Sequence, residues 1–182
     1  MEEAGEPAVK SGRKWIQIAV LALVVLAGGL TIGNALFNRE QIPREGSRAP
    51  QFKVKDLEGA GQNLSSWAGK PLVLNFWGTF CPPCTEEMPA LQRQAAQWAE
   101  RGVGVVGMNL GENAVTVRSF VQQYGIAFPI YMDMDDTVRK AYGVNQYPTT
   151  FFIEPGGRIY KIIIGQMDDA VIEHTLDSML AQ

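Results

Sequence analysis

The sequence predicts an α/β fold, a mixed central sheet flanked by helices, and three observations carry that prediction. Short apolar runs of strand length alternate with segments of helical periodicity. The chain closes on two strand-like runs joined by Pro155-Gly156-Gly157, followed by a helix. Hydrophobic residues make up 46% and charged residues 19% of the 182, a folding composition rather than a disordered one. This length holds one domain plus accessories. Sixteen Lys and Arg against 19 Asp and Glu leave a net charge of −3, which argues against a nucleic-acid binder. The single histidine, His174, lies far in sequence from every other suggestive residue. The two cysteines exclude a multi-disulfide scaffold and any Cys₃ or Cys₄ zinc site.

Four segments are expected: an N-terminal segment over 1–15, a transmembrane signal-anchor helix over 16–37, a linker over 38–50 and a folded domain over 51–182. No charge falls between Lys14 and Arg39, and residues 16–37 contain 12 Leu, Ile, Val or Phe among 22. As a helix that run would reach roughly 33 Å, against a hydrocarbon core of about 30 Å. A cleaved signal peptide is the alternative, with Gly33-Asn34-Ala35 as its cleavage site. The run exceeds the usual apolar core of about 7–15 residues, which favours an uncleaved anchor. Lys10, Arg13 and Lys14 before it, against Arg39 and Arg44 after it, orient the N-terminus to the cytoplasm and the domain outside. Residues 38–50, with Pro43, Gly46 and Pro50, read as a linker.

Within the domain, residues 52–55 alternate like a half-buried strand, with a turn at Gly59 and Gly61. Residues 71–77 are apolar except for Asn75, as in a central strand. Over 82–101, Cys84, Met88, Leu91, Ala95 and Trp98 recur at helical spacing, and Gly102 stops the helix. Pro89 should kink it. A buried strand follows over 103–110. Asn113 opens a helix that Gly125 closes. A strand over 128–132 and a short helix over 136–142 come next. Strands over 149–153 and 158–164 form the hairpin. Asp168 or Asp169 caps a last helix running to 180.

Cys81-Pro82-Pro83-Cys84 sits where a buried strand meets a helix start, and three readings compete. As a structural staple, closing a four-residue loop is worth only about 1.9 kcal/mol in the chain-entropy model, against roughly 3 for fifteen residues. As a metal site, two thiolates suit Cu(I), but zinc wants four ligands and no further Cys or nearby His is present. The strand–CxxC–helix setting favours a redox pair. Cys81 would then be the N-cap and the exposed attacking thiol. The positive helix end lowers its pKa below the free value of about 8.5. Cys84, one turn deeper, would resolve the mixed disulfide. Pro82 and Pro83 remove two N–H donors from the helix start, so Cys81 is expected to be less acidic than with a non-proline residue at 82. Glu87 shares a helix face with Cys84, while Glu86 points with Arg93 and Gln97 to solvent. Partial burial would raise Glu87 toward neutrality and let it take the Cys84 proton. The plainer alternative is a first-turn carboxylate favourable to the helix dipole.

The run Trp77-Gly78-Thr79-Phe80-Cys81-Pro82-Pro83-Cys84, with Glu87 and Pro89 behind it and Tyr147-Pro148-Thr149-Thr150-Phe151 later, resembles the membrane-anchored thioredoxin-like proteins of the ResA/TlpA group. The ResA-type reductases of cytochrome c maturation are the most similar. The resemblance covers nearly the whole chain, including the segment near 113–132 that thioredoxin lacks. It implies a thioredoxin-like fold with no cofactor beyond the Cys81–Cys84 disulfide. Cys81, Cys84 and Glu87 would be catalytic, and Trp77, Phe80, Tyr147 and a cis-Pro148 would form the substrate surface. The partners it implies are the CxxCH disulfide of an apocytochrome c and a CcdA-like transmembrane electron donor. Pro-Pro between the cysteines and Phe80 in place of the usual tryptophan depart from the family pattern. Reduction of another extracytoplasmic disulfide, in cell-wall or sporulation proteins, and copper delivery by the two thiols are the alternatives.

Overall fold

The computed structural model describes residues 10–37 and 42–181, in two units divided between Gln41 and Ile42. The first is one helix, α1 (Lys10–Phe37). Its described side chains run over residues 15–31 and are nearly all exposed, Trp15, Leu21 and Leu30 among them. Among the described residues no helix is long and apolar enough to cross a membrane. The transmembrane helix expected over 16–37 therefore does not stand on them alone. Residues 1–9 of the expected N-terminal segment and 38–41 of the expected linker lie outside the described residues.

The second unit runs β1 (Lys53–Asp56), β2 (Gly61–Asn63), a 3-10 turn (Leu64–Trp67), β3 (Leu72–Trp77), α2 (Pro82–Ala99), β4 (Gly104–Leu110), α3 (Ala114–Tyr124), β5 (Ile130–Asp133), α4 (Thr137–Ala141), β6 (Thr149–Ile153), β7 (Ile159–Ile164) and α5 (Asp169–Leu180). The strands form one sheet in the order β2-β1-β5-β4-β3-β6-β7. β3, β4 and β5 are parallel, and the outer pairings are antiparallel. The expected mixed α/β sheet is what forms.

Alternation along β3 sets the two layers. Val73 and Trp77 face a core shared with Met88, Leu91 and Trp98 of α2, Val117 of α3 and Leu176 of α5. Leu72, Leu74 and Phe76 face the other layer, with Val138, Tyr142 and Phe151. Asn75 falls by the same alternation on the α2 face.

Helix ends follow side-chain chemistry. Asn113 accepts from Thr116 N–H at the start of α3, and Gly125 closes it at φ 63°, a conformation open to glycine. Asp168, not Asp169, caps α5; Asp169 reaches across to Arg93 of α2. The short α4 is capped from outside. Its Asp136 makes no side-chain cap bond, and Asp133 at the end of β5 accepts from Val138 N–H at 3.1 Å and Arg139 N–H at 2.7 Å.

Two segments depart from expectation. β2 has no apolar pattern, and its Gly-Gln-Asn pairs with β1 only because the turn returns it there. The expected linker is, from residue 42 on, part of the folded unit. Gly46 and Ala49 donate to the carbonyls of Ile159 and Gly157, Ile159 N–H donates to Ser47, and Ala49 is buried. Edge strand β7 offers unpaired backbone groups, and this arm satisfies several of them.

Candidate active site

β3 delivers the chain to the sheet end, and residues 78–80 turn it into α2. Cys81 is the N-cap: its φ of −107° and ψ of 103° are extended, and its carbonyl receives Thr85 N–H at 3.1 Å. Its sulfur accepts from Cys84 N–H at 3.3 Å. Pro82 and Pro83 fill the first two helical positions, so Cys84 supplies the one first-turn N–H directed at that sulfur. Cys81 and Cys84 form a disulfide with an S–S distance of 2.08 Å. Cys84 is fully buried, and Cys81 is only 7% exposed. The freely exposed thiol expected at 81 is corrected in this oxidised state: bonded to Cys84, its residue joins the core cluster with Trp77 and Met88. Cys81 remains the more accessible of the two residues.

Glu87 is fully buried. Asn75 Nδ2 donates to its Oε1 at 2.7 Å and Met167 N–H to its Oε2 at 3.0 Å. Loss of solvent pushes its pKa from 4.5 up to about 7, although both hydrogen bonds pull it down. A solvated first-turn carboxylate is therefore not what Glu87 is. Glu86 is exposed, as expected. Pro89 lies inside α2, which continues through it to Ala99.

The Tyr147–Pro148 peptide bond is cis. Pro148 is buried, and its carbonyl receives Gly165 N–H at 2.8 Å. The Tyr147 backbone has no hydrogen-bond partner among the described residues. The Tyr147 ring packs edge-on to Phe80, centroids 6.3 Å apart, so the cysteine turn and the cis-proline loop are neighbours. Phe80 is 60% exposed. Trp77 does not join this surface and must be removed from the expected substrate-contacting set. It is fully buried, its ring tilted against that of Phe120 of α3 with centroids 5.2 Å apart. Its ring fits because β4 carries Gly107 beside it, where a Cβ would come within 2.8 Å of Nε1.

Sequence reading missed a clamp behind the turn. Glu112, just past β4, accepts from the backbone N–H of Thr79 at 2.7 Å, from the Thr79 hydroxyl, and from Asn109 Nδ2 at 2.7 Å. The register that sets Trp77 beside Asn109 brings the two strand exits together. Thirty-three residues separate the partners, so only the strand pairing signals the contact. His174 lies exposed on α5. Among the described residues no three of His, Cys, Asp and Glu gather as a metal site.

The AhpC/TSA family model matches residues 46–162. The thiol-disulfide oxidoreductase ResA of Bacillus subtilis is 39% identical over 163 residues, 90% of this chain and 91% of that protein. A thiol:disulfide interchange protein of the thioredoxin family from Chlorobium tepidum superposes with a TM-score of 0.68 at 26% identity, covering 75% of this chain and 98% of that one. A secreted Mycobacterium tuberculosis disulfide oxidoreductase homologous to E. coli DsbE gives 0.64 at 29% identity, covering 70% and 96%. The two solved structures share the fold whose sheet here presents a vicinal cysteine pair at a helix start. That shared sheet, and identity sustained over nine-tenths of the length, place this chain in the AhpC/TSA family and, within it, among the ResA-type thiol–disulfide oxidoreductases, whose redox centre is the cysteine pair itself.

Proposed function

We propose that this protein is a membrane-tethered reductant working outside the cytoplasm, whose substrate is the CxxCH disulfide of an apocytochrome c. The Cys81 thiolate attacks one sulfur of that disulfide. A mixed disulfide forms and the other substrate sulfur leaves as a thiolate. Glu87 takes the proton from the Cys84 thiol, and the Cys84 thiolate attacks the Cys81 sulfur. The second substrate sulfur is released, and two electrons have passed to the substrate. Phe80 and the open Tyr147 backbone receive the substrate as an extended strand. A CcdA-like membrane protein returns two electrons to the Cys81–Cys84 disulfide.

The observation that carries this reading is Glu87: a carboxyl one turn from Cys84, buried without a counter-charge and ionising near neutrality. The absence of histidine between the cysteines favours reduction over oxidation. The tether is supported by the charge-free run over residues 16–37. The Lys and Arg balance supports an N-in orientation. Names of relatives support the redox class, and the substrate rests on the ResA likeness.

Trapping tests the substrate. With Cys84→Ser the mixed disulfide cannot be resolved, and an apocytochrome c peptide containing CxxCH is expected on Cys81. Recovery of a different extracytoplasmic protein, with no cytochrome peptide, overturns this assignment.

A further inference from the structure

The carboxamide of Asn75 is held asymmetrically inside the sheet. Its Nδ2 donates to Glu87 Oε1 at 2.7 Å and to Thr150 Oγ1 at 2.9 Å, while its Oδ1, fully buried, has no partner among the described residues. Both groups that Nδ2 meets can reverse their roles. A threonine hydroxyl donates as readily as it accepts, and a protonated carboxyl donates where a carboxylate accepts. The third contact cannot reverse: Met167 offers Glu87 Oε2 a backbone N–H at 3.0 Å. The two oxygens of Glu87 are therefore unequal. Oε2 is tied to a fixed donor, so a proton on Glu87 resides on Oε1, facing Asn75. In the present orientation that proton would confront the hydrogens of Nδ2. A half-turn of the amide removes the conflict, because Oδ1 then accepts from Glu87 Oε1–H and from the Thr150 hydroxyl. The two ends of a carboxamide are nearly the same size, so the turn needs no repacking. Each orientation makes two hydrogen bonds; the present one leaves Oδ1 unpartnered, and the turned one leaves the NH₂ unpartnered but gives the Thr150 hydroxyl an acceptor.

We propose that Asn75 is a positioning residue whose amide turns with the proton on Glu87, donating to the carboxylate and accepting from the acid, while Thr150 reverses its hydroxyl in step. Its role in turnover rests on the reading of Glu87 as proton acceptor for Cys84. A fixed donor would serve only the carboxylate, whereas a turning amide serves both forms and lets the proton come and go at near-neutral pH. Among the described residues no charged group bonds to Glu87. The groups that face Glu87 are Asn75 from β3 and the Met167 N–H from the segment before α5, neither of them charged. On its own helix Cys84 is held in the disulfide and Glu86 points to solvent. Asp168 and Asp169, next to Met167, are committed to the α5 cap and to Arg93.

The test follows the Asn75 side-chain amide by NMR in the oxidised, isotopically labelled full chain. At alkaline pH the amide protons lie against Thr150, and a cross-relaxation peak to the Thr150 methyl is expected. On acidification that peak should be lost, with the midpoint of Glu87 ionisation. In Glu87→Gln the Met167 N–H demands the carbonyl end of the new amide, so its NH₂ faces Asn75, and the peak should be absent at every pH. A peak that persists through the titration, or that remains strong in Glu87→Gln, overturns the proposal. The pH dependence of resolution by Cys84 is measured separately. If the amide turns while resolution is indifferent to Glu87→Gln, the proton-acceptor reading fails and the switch stands. If resolution depends on Glu87 while the amide stays fixed, the switch alone fails.

Discussion

Replacing Glu87 with glutamine removes a charge that the fold holds at a cost, and the cost follows from its environment. The buried carboxyl ionises near 7, against an ordinary value of 4.5. Each pH unit of that difference is worth 1.36 kcal/mol, so the ionised form costs the native state about 3 kcal/mol. Below about pH 4.5 the carboxyl is protonated in native and unfolded chains alike, and the cost is absent. Between about 4.5 and 7 the unfolded chain releases the proton while the native state retains it, so stability falls as pH rises. Above about 7 both are ionised and the full cost stands. Glutamine never ionises, and it can still meet the Met167 N–H. The oxidised Glu87→Gln protein should therefore match the wild type near pH 4 and exceed it by about 3 kcal/mol at pH 8, or by on the order of 6–12 °C in Tm. Asp133, also raised by burial, tilts both proteins in the same direction and cancels in the difference. Urea unfolding at a series of pH values measures it. A gain of equal size at pH 4 and pH 8, or no gain at either, would refute the burial of an ionising carboxyl as the source of the effect.

Other changes probe the surface and the turn. If the exposed Phe80 ring receives the substrate as proposed, Phe80→Ala should raise KM for a protein disulfide several-fold while leaving reduction of a small, unstructured disulfide unchanged; steady-state kinetics on both substrates decides this. Glu112→Ala strips the acceptor from Thr79 and Asn109 and should cost on the order of 2 kcal/mol. Glu112→Gln should restore most of it, since the Thr79 hydroxyl can accept from the new amide; denaturation and the rate of Cys81 alkylation report on both. In the reduced protein, Pro83→Ala should lower the Cys81 pKa more than Pro82→Ala does, because a cap side chain takes its bond from the second or third helical N–H and not the first. Thiolate absorbance against pH shows the order, and equal or absent shifts would count against the helix-end account.

The redox pair and its setting were largely legible beforehand. Strand, cysteine cap, two prolines and apolar stripe are all local, and local chemistry placed Cys81 at the N-cap and Cys84 behind it. The same holds for Asn113 with Gly125 and for Glu87 on the Cys84 face. The cis bond at Pro148 came from family likeness and not from spacing. Trp77 was misplaced because its burial depends on Gly107 one strand away and on Phe120 from the α3 insertion. The arm from residue 42 looked like a linker because its composition is polar; what orders it is the open edge of β7, which composition does not reveal.

Periodicity and capping were enough to establish that this chain would build a helix behind a sheet and present two sulfurs at their junction. Those signals act over a few residues, within one turn or one pleat, and so survive in one dimension. The proton chemistry of the site does not. Glu87 ionises near neutrality because the folded unit closes around it and strips it of water, an upward push that the hydrogen bonds from Asn75 and the Met167 N–H only partly offset. Those groups lie up to 80 residues away along the chain. Desolvation and hydrogen bonding depend on distance in space, and only folding brings the Asn75 amide and the Met167 N–H to within 3.0 Å of the Glu87 carboxyl.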